Sequence, residues 1–204
     1  MKASPEAAPQ WQSFMMEPIL YIEPARFAAC FEGAIAPSLC LKLKQSRRLQ
    51  SRLSAVVRAH YTLAQWIEPD QLSDLDRAIA LAPPDGLADI ARRAGAIYWS
   101  AAIAGTVLAK AVAALQQQLG NDLCGYAISH RDLAGPVQPL EPLTEIGPRV
   151  EDDGWRCFAA WCATVPAGVG ARVKLKLPQD GIADQPVPPP FMERGPTILR
   201  RAAA

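Results

Sequence analysis

The sequence has no excess of charge of either sign, because 21 Lys and Arg residues face 20 Asp and Glu residues over 204 positions. A formal net charge of +1 gives no field that would hold a phosphate backbone or an anionic membrane by charge alone. We therefore expect no nucleic-acid partner. The longest uncharged run, residues 94–109, is shorter than the roughly 20 residues that span a bilayer. We predict a buried helix there and no membrane insertion.

Metal ligands and nucleophiles are scarce and scattered. The two histidines, His60 and His130, are 70 positions apart, whereas a zinc site needs several closely spaced ligands. The five cysteines are odd in number and lie in apolar surroundings, which favours reduced core thiols over a disulfide framework. No apolar stretch follows Lys2 as a secretory signal would require. We expect a cytoplasmic protein without metal or cofactor.

Two short motifs imitate catalytic or nucleotide-binding sites but lack essential parts. His130-Arg131-Asp132 resembles a kinase catalytic loop, yet Val137 stands where the magnesium-binding asparagine belongs. Gly168-Val-Gly170 lacks the third glycine of a dinucleotide-binding turn, and we predict a flexible turn. The sequence thus predicts a protein that binds other proteins and is not an enzyme. Two alternatives stay open: a helical enzyme or ligand carrier that uses His60 or His130, and a peripheral membrane protein that uses helix 94–109.

Helical periodicity covers most of the chain and predicts a mainly α fold. We expect a single compact domain of about six to eight helices over residues 17–178, with a proline-rich linker at 135–148. The alternation of apolar and basic residues predicts a short strand near 172–177, with a frayed helix as the alternative. Within the run from Leu87 to Leu119, glycines predict either a break or a close helix crossing.

Both ends of the chain lack this periodicity. Residues 1–16 are rich in Ala, Pro, Gln and Ser, and we predict a disordered arm of which only Trp11 and Phe14 dock. Residues 179–204 contain many prolines and few apolar residues, which predicts a disordered tail.

Two basic groups are candidates for contact with an acidic protein partner. One lies on the outer face of the amphipathic helix predicted between about Gln45 and Trp66, and the other lies in the alternating segment near the end of the predicted domain. Ordinary solvated faces are the alternative. The candidates are Arg47, Arg48, Arg52, Arg172, Lys174 and Lys176.

Four stretches, taken in order, carry a resemblance to a known family. They are Pro18-Ile-Leu-Tyr-Ile-Glu-Pro-Ala-Arg26, the apolar helix from Leu87 to Ile97, Leu123 to Pro136, which ends in Gly-Pro, and Gly154-Trp-Arg-Cys-Phe-Ala-Ala-Trp161 with Arg172-Val-Lys-Leu-Lys-Leu-Pro178. Their order and spacing resemble the SctK family of type III secretion proteins, which includes YscK and PscK. Glu23, in place of a histidine, and the longer tail depart from the family pattern.

The resemblance implies a place in a secretion machine. It implies an adaptor of the cytoplasmic sorting platform of the injectisome that links the SctQ-type pod protein to the SctD-type inner-membrane ring protein. The SctL and SctN ATPase complex would be an indirect partner. The resemblance transfers no catalytic residue, and it implies a location at the cytoplasmic face of the inner membrane.

Overall fold

The computed structural model describes residues 7–32, 34–63 and 66–204. Over these ranges the secondary structure is helical and contains no β-strand, which confirms the mainly α prediction. The α-helices are α1 (Ala7–Met16), α2 (Pro24–Ala29), α3 (Pro37–Gln45), α4 (Gln50–His60), α5 (Asp74–Leu81), α6 (Pro84–Tyr98), α7 (Ser100–Ala104), α8 (Ala109–Leu119), α9 (Asn121–Ser129), α10 (Ile146–Thr164), α11 (Ala167–Lys174) and α12 (Pro189–Ala203).

The chain divides into two compact units, each built from two segments. Unit 1 combines the chain up to Pro84 with Val165–Asp184, and unit 2 combines Asp85–Thr164 with Gln185–Ala204. This division does not follow the domain boundaries that the sequence predicts, because the segment after residue 164 returns to the first unit.

Unit 1 has a core that draws on both of its segments. Helix α2 begins at Pro24, because proline suits the first helical position and the Glu23 carboxylate accepts hydrogen bonds from the N–H groups of Ala25 and Arg26. α4 packs on the 3-10 turn Pro18–Leu20, and α11 packs on α1 and α5. The central apolar cluster consists of Ile19, Ile22, Phe27, Cys40, Leu53, Val57, Leu63 and Leu175.

The N-terminal arm is a helix where it is described. Trp11 and Phe14 are buried, at 2% and 4% exposure, as predicted. The Trp11 indole N–H also donates to the Ile67 carbonyl at 2.9 Å. The prediction of disorder is therefore wrong for residues 7–16, because the aromatic side chains hold α1 on the core. Residues 1–6 lie outside the described part.

Unit 2 is organised by a close crossing of α6 and α10. A Cβ atom placed on Gly95 would lie 1.8 Å from the Val150 carbonyl oxygen, and one placed on Gly154 would lie 1.9 Å from the Ala91 carbonyl oxygen. The two helix backbones are therefore in direct contact, which only glycine permits. The run that starts at Leu87 is also interrupted by non-helical residues 105–108. Both predicted uses of its glycines are realised.

The C-terminal tail corrects another prediction. Residues 189–203 form α12, which packs against α10 and buries Phe191, Ile198 and Leu199. Pro188 is the N-cap and the next two prolines occupy the first helical positions, where a missing N–H costs nothing. Three of the prolines that suggested disorder therefore start a helix, and Pro196 lies inside it.

The predicted strand near 172–177 is also wrong. α11 ends at Lys174, and a turn follows in which the N–H groups of Lys176 and Leu177 donate to the carbonyls of Val173 and Lys174, each at 3.1 Å. Bonds to the third residue back are typical of a tight helical turn. Gly168 and Gly170 lie within α11, so the flexible turn predicted there is wrong too.

The apolar run that raised the membrane question is divided between helices. Residues 94–98 end α6, and α7 covers residues 100–104. No helix in the described ranges is both long enough and apolar enough to cross a membrane. The predicted linker at 135–148 is irregular until the 3-10 turn Leu143–Glu145 and the start of α10.

Candidate interaction surfaces

Arg172, a predicted contact residue, lies in the core of unit 1 at 2% exposure. Its guanidinium donates hydrogen bonds to the carbonyls of Leu63 at 2.6 Å, Gly168 at 2.8 Å and Met15 at 3.2 Å. Burial lowers the pKa of this group. The side chain is thus a structural cation that satisfies backbone carbonyls from three parts of unit 1, and it is not presented on the surface.

Lys176 is also withdrawn from the surface, with 6% exposure. Its ammonium donates to the carbonyls of Ala80, in the last turn of α5, and Ala82, its C-cap, each at 2.7 Å. The same nitrogen lies 5.2 Å from the ring centre of Phe14 and 5.5 Å from that of Tyr21. Lys174 is half-buried. Of the three candidates in this segment, two hold the fold of unit 1 and one reaches solvent.

A third buried cation, Arg26, was missed by the sequence interpretation. Its Nε donates to the Leu177 carbonyl at 2.7 Å, and its terminal nitrogen donates to the Pro178 carbonyl and forms an ion pair with Asp184. Arg26 therefore anchors the second segment of unit 1 to α2. No local pattern signals this role, because the partners are more than 150 residues away along the chain.

The remaining predicted candidates form an exposed group, which we name the α4 arginine cluster: Arg47, Arg48 and Arg52. All three are exposed: Arg47 and Arg48 lie just before α4, and Arg52 lies in its first turn. Within the described ranges none of them makes an ion pair or a side-chain hydrogen bond. Positive charge at a helix N-terminus opposes the helix dipole, so these arginines do not serve the stability of α4. Val56 lies one turn beyond Arg52 and is 37% exposed. The result is a basic surface with an apolar edge.

A groove of about 550 Å³ lies at another position in unit 1. We name it the Lys176 groove. Most of its wall is apolar, with two prolines after α5 and the half-exposed Leu20. The lining residues are Gln10, Ser13, Phe14, Leu20, Tyr21, Lys44, Leu81, Pro83, Pro84 and Lys176. The polar groups include two lysine amines and no carboxylate.

The two histidines lie at helix ends, and the His130 Nδ1 is 3.1 Å from the hydroxyl oxygen of the neighbouring Ser129. His60 is exposed at the end of α4 and its ring contacts Tyr61, whereas His130 follows α9 with its Nδ1 at 2.9 Å from the Tyr126 carbonyl oxygen. They belong to different units. Within the described part of the chain, no group of His, Cys, Asp and Glu has an arrangement that could hold a metal ion.

None of the five cysteines forms a disulfide within the described ranges, and four of them are buried. Burial raises the pKa of Cys30 to about 11 and also raises the pKa of Cys124 and Cys157. These thiols therefore stay protonated at neutral pH and are poor nucleophiles. Their placement agrees with the prediction of core thiols.

Lys176 leads to a prediction about pH. Burial lowers its pKa from 10.5 to about 8. Below pH 8 the folded and unfolded chains both hold this proton, whereas between pH 8 and 10.5 the unfolded chain holds more, so this residue's contribution to the free energy of unfolding rises with pH. We expect the free energy of unfolding of the wild type minus that of Lys176→Met to rise by about 1 to 2 kcal/mol between pH 7.5 and 9.5.

Urea denaturation followed by circular dichroism at several pH values measures this difference. Cysteine ionisation acts in the opposite direction over part of the range, but it is common to both proteins and cancels. A difference that is flat or falls with pH would contradict the assignment of a buried, charged Lys176.

The geometry defines a class of protein first: a helical protein with an exposed arginine cluster and a lysine-lined groove, both suited to contacts with another macromolecule. The chain belongs to the YscK family, since the family described as YOP proteins translocation protein K (YscK) matches residues 10–201. It is thus a protein of type III secretion. This confirms the resemblance seen in the sequence.

The chain is also similar to nodulation proteins named NolU. The proteins from Rhizobium fredii and from Sinorhizobium fredii are each 26% identical to it over 168 residues, which are 81% of this chain and 74% of the relative. No solved structure matches the chain with comparable significance.

Proposed function

We propose that this protein is a non-enzymatic adaptor subunit of the cytoplasmic sorting platform of a type III secretion system. It links the SctQ-type pod protein to the SctD-type ring protein at the cytoplasmic face of the inner membrane, and through the pod protein it communicates with the SctL and SctN ATPase complex. The observation that carries the proposal is the family match over residues 10–201.

The geometry supports a binding role through the α4 arginine cluster. Its three guanidinium groups are exposed and unpaired within the described ranges, so a partner's carboxylates can meet them without breaking an internal ion pair. Charge complementarity of this kind selects the partner and speeds association, and it allows reversible assembly. We propose that this cluster contacts an acidic surface of one of the two platform partners. Lys174 adds a further solvent-accessible charge in unit 1.

Reversal of the cluster tests the proposal. In the variant Arg47→Glu, Arg48→Glu, Arg52→Glu we expect at least a tenfold loss of affinity for one partner, because three attractive contacts become repulsive and exposed pairs are worth about 0.2 to 1 kcal/mol each. Binding to the other partner should be unchanged. The measurement is titration of the purified chain with the SctQ-type protein and with the cytoplasmic domain of the SctD-type protein at two salt concentrations.

A matched control reverses three exposed basic residues of unit 2, Lys110, Arg131 and Arg201. It changes the net charge by the same amount and should not lower affinity for the partner that the α4 cluster contacts. Equal losses of affinity in both triple variants would show that the loss comes from the change in net charge and not from the α4 arginine cluster. Unchanged binding of the α4 variant to both partners would exclude the cluster as a contact surface.

A further inference from the structure

The two lysine amines at the Lys176 groove have more N–H donors than the fold uses. An ammonium group has three N–H donors. Lys176 donates two hydrogen bonds, to the carbonyls of Ala80 and Ala82, and Lys44 donates one, to the carbonyl of Ile22. Three N–H donors on two amines therefore remain without a protein acceptor at the groove, within the described residues.

The surroundings of the amines define what fits beside them. Lys176 lies against the faces of two aromatic rings, and the rest of the wall contains leucine and proline side chains. A ligand must therefore combine a hydrogen-bond acceptor with apolar surface. A volume of about 550 Å³ is sufficient for a few side chains of a peptide and lies within the usual range of ligand sites.

Charge decides the nature of the acceptor. The groove wall holds two amines and no carboxylate. Glu23, which is not part of the wall, acts electrostatically on Lys44 but not on Lys176. A neutral acceptor would therefore leave the charge of Lys176 uncompensated. A carboxylate accepts charge-assisted hydrogen bonds, which are roughly twice as strong as neutral ones, and the low polarity of the wall strengthens them.

We propose that the Lys176 groove binds a partner protein through a short segment in which an Asp or Glu lies between apolar residues. The carboxylate accepts hydrogen bonds from the Lys44 and Lys176 amines, and the neighbouring apolar side chains cover Leu20 and the two prolines. None of the residues that line the groove belongs to the α4 arginine cluster. The inference rests on the proposed function only for the expectation that a platform protein carries the segment.

The experiment uses the full chain labelled with ¹³C-lysine and two capped tripeptides. The probes are acetyl-Leu-Asp-Leu-amide and acetyl-Leu-Asn-Leu-amide, which have nearly the same shape and differ in one charge. We expect the aspartate peptide to shift the Lys44 and Lys176 side-chain signals saturably and to bind at least ten times more tightly than the asparagine peptide. Salt should weaken only the binding of the aspartate peptide.

Variants away from the buried amine keep the test independent of folding. Lys44→Met replaces a half-buried residue, and we expect it to weaken the binding of the aspartate peptide about threefold to tenfold. Lys42→Met is the control, because Lys42 lies on the same helix, is exposed and does not line the groove. Leu20→Asp should also weaken the binding of the aspartate peptide, because it places a competing carboxylate on the wall of the groove.

Three results would overturn the proposal: equal affinity of the two peptides, no shift of either lysine signal at saturating peptide, or equal effects of the Lys44 and Lys42 variants. Any of these results would refute the proposed binding of an acidic segment at the groove, and the proposed adaptor function would be unaffected. Failure of both platform partners to bind the wild-type chain would refute the adaptor function without affecting the peptide result.

Discussion

Replacing Gly154 with alanine is expected to lower the free energy of unfolding by about 3 kcal/mol or more, since it inserts a methyl group between two backbones that already touch. The new carbon would lie 1.9 Å from the Ala91 carbonyl oxygen and 2.7 Å from the carbonyl carbon. Backbone atoms within a helix cannot rotate away as a side chain can, so α6 and α10 must separate. Separation opens voids along the whole crossing.

The control for this prediction is Gly125→Ala on α9, where nothing lies within 4 Å of the added carbon. That variant should gain about 0.5 to 1 kcal/mol from the better helix propensity of alanine. Gly95→Ala should resemble Gly154→Ala, and the double variant should cost less than the sum because one separation of the helices accommodates both methyl groups. Urea denaturation followed by circular dichroism gives the values. Gly154→Ala within 0.5 kcal/mol of the wild type would contradict a direct backbone contact.

The second large effect is expected at Arg172. Replacing it with methionine fills similar space but leaves the buried carbonyls of Met15, Leu63 and Gly168 without this donor. Each unsatisfied buried acceptor costs about 1 to 3 kcal/mol, part of which is recovered because a buried charge is removed. We expect a net loss of about 3 kcal/mol. Arg172→Lys should lose less, because an ammonium reaches some of these carbonyls but lacks the fork geometry of the guanidinium.

Lys174→Met is the matched control for Arg172→Met. Lys174 lies on the same helix and is half-buried, and its side chain makes no hydrogen bond or ion pair within the described ranges. Its replacement should therefore change the free energy of unfolding by less than about 0.5 kcal/mol. Equal effects at the two positions, measured by urea denaturation, would show that the carbonyl bonds of Arg172 carry no net stability.

The role of Arg172 changes how partner-binding experiments should be designed. Reversing the charges of Arg172, Lys174 and Lys176 together would place two carboxylates in the core of unit 1, facing backbone carbonyls. A loss of binding in that variant would follow from unfolding and would say nothing about an interface. Reversal of the α4 arginine cluster avoids this problem because all three of its residues are exposed.

Local signals in the sequence were sufficient to predict much of the fold. Pro24 after Glu23 predicts the start of α2, because both the fixed proline backbone and the capping carboxylate act within one turn. The small residues around Gly95 predict a close crossing, although nothing in the sequence identifies Gly154 as its counterpart. The tail could have been predicted: Phe191, Ile198 and Leu199 recur at helical spacing after prolines that favour a helix start.

The site required information that the sequence does not contain. Lys174 and Lys176 look alike in a pattern of alternating basic and apolar residues, yet one reaches solvent and the other is buried against carbonyls more than 90 residues away. The difference depends on which chain segment covers the turn after α11. The same holds for Arg26, whose acceptors belong to a segment about 150 residues further along. Only the exposed arginines before and within α4 were assigned to the surface by local amphipathicity alone.

The two-segment composition of each unit affects how the protein folds as it is synthesised. When residue 84 has been made, unit 1 still lacks Val165–Asp184, which supplies Leu175 and the buried cations Arg172 and Lys176. About 80 further residues, those of the first segment of unit 2, must be translated before that segment begins. At 5 to 20 residues per second this takes roughly 4 to 16 s. During that interval the nascent chain exposes the apolar surface that Leu175 will cover, so chaperones have time to bind it before either unit is complete.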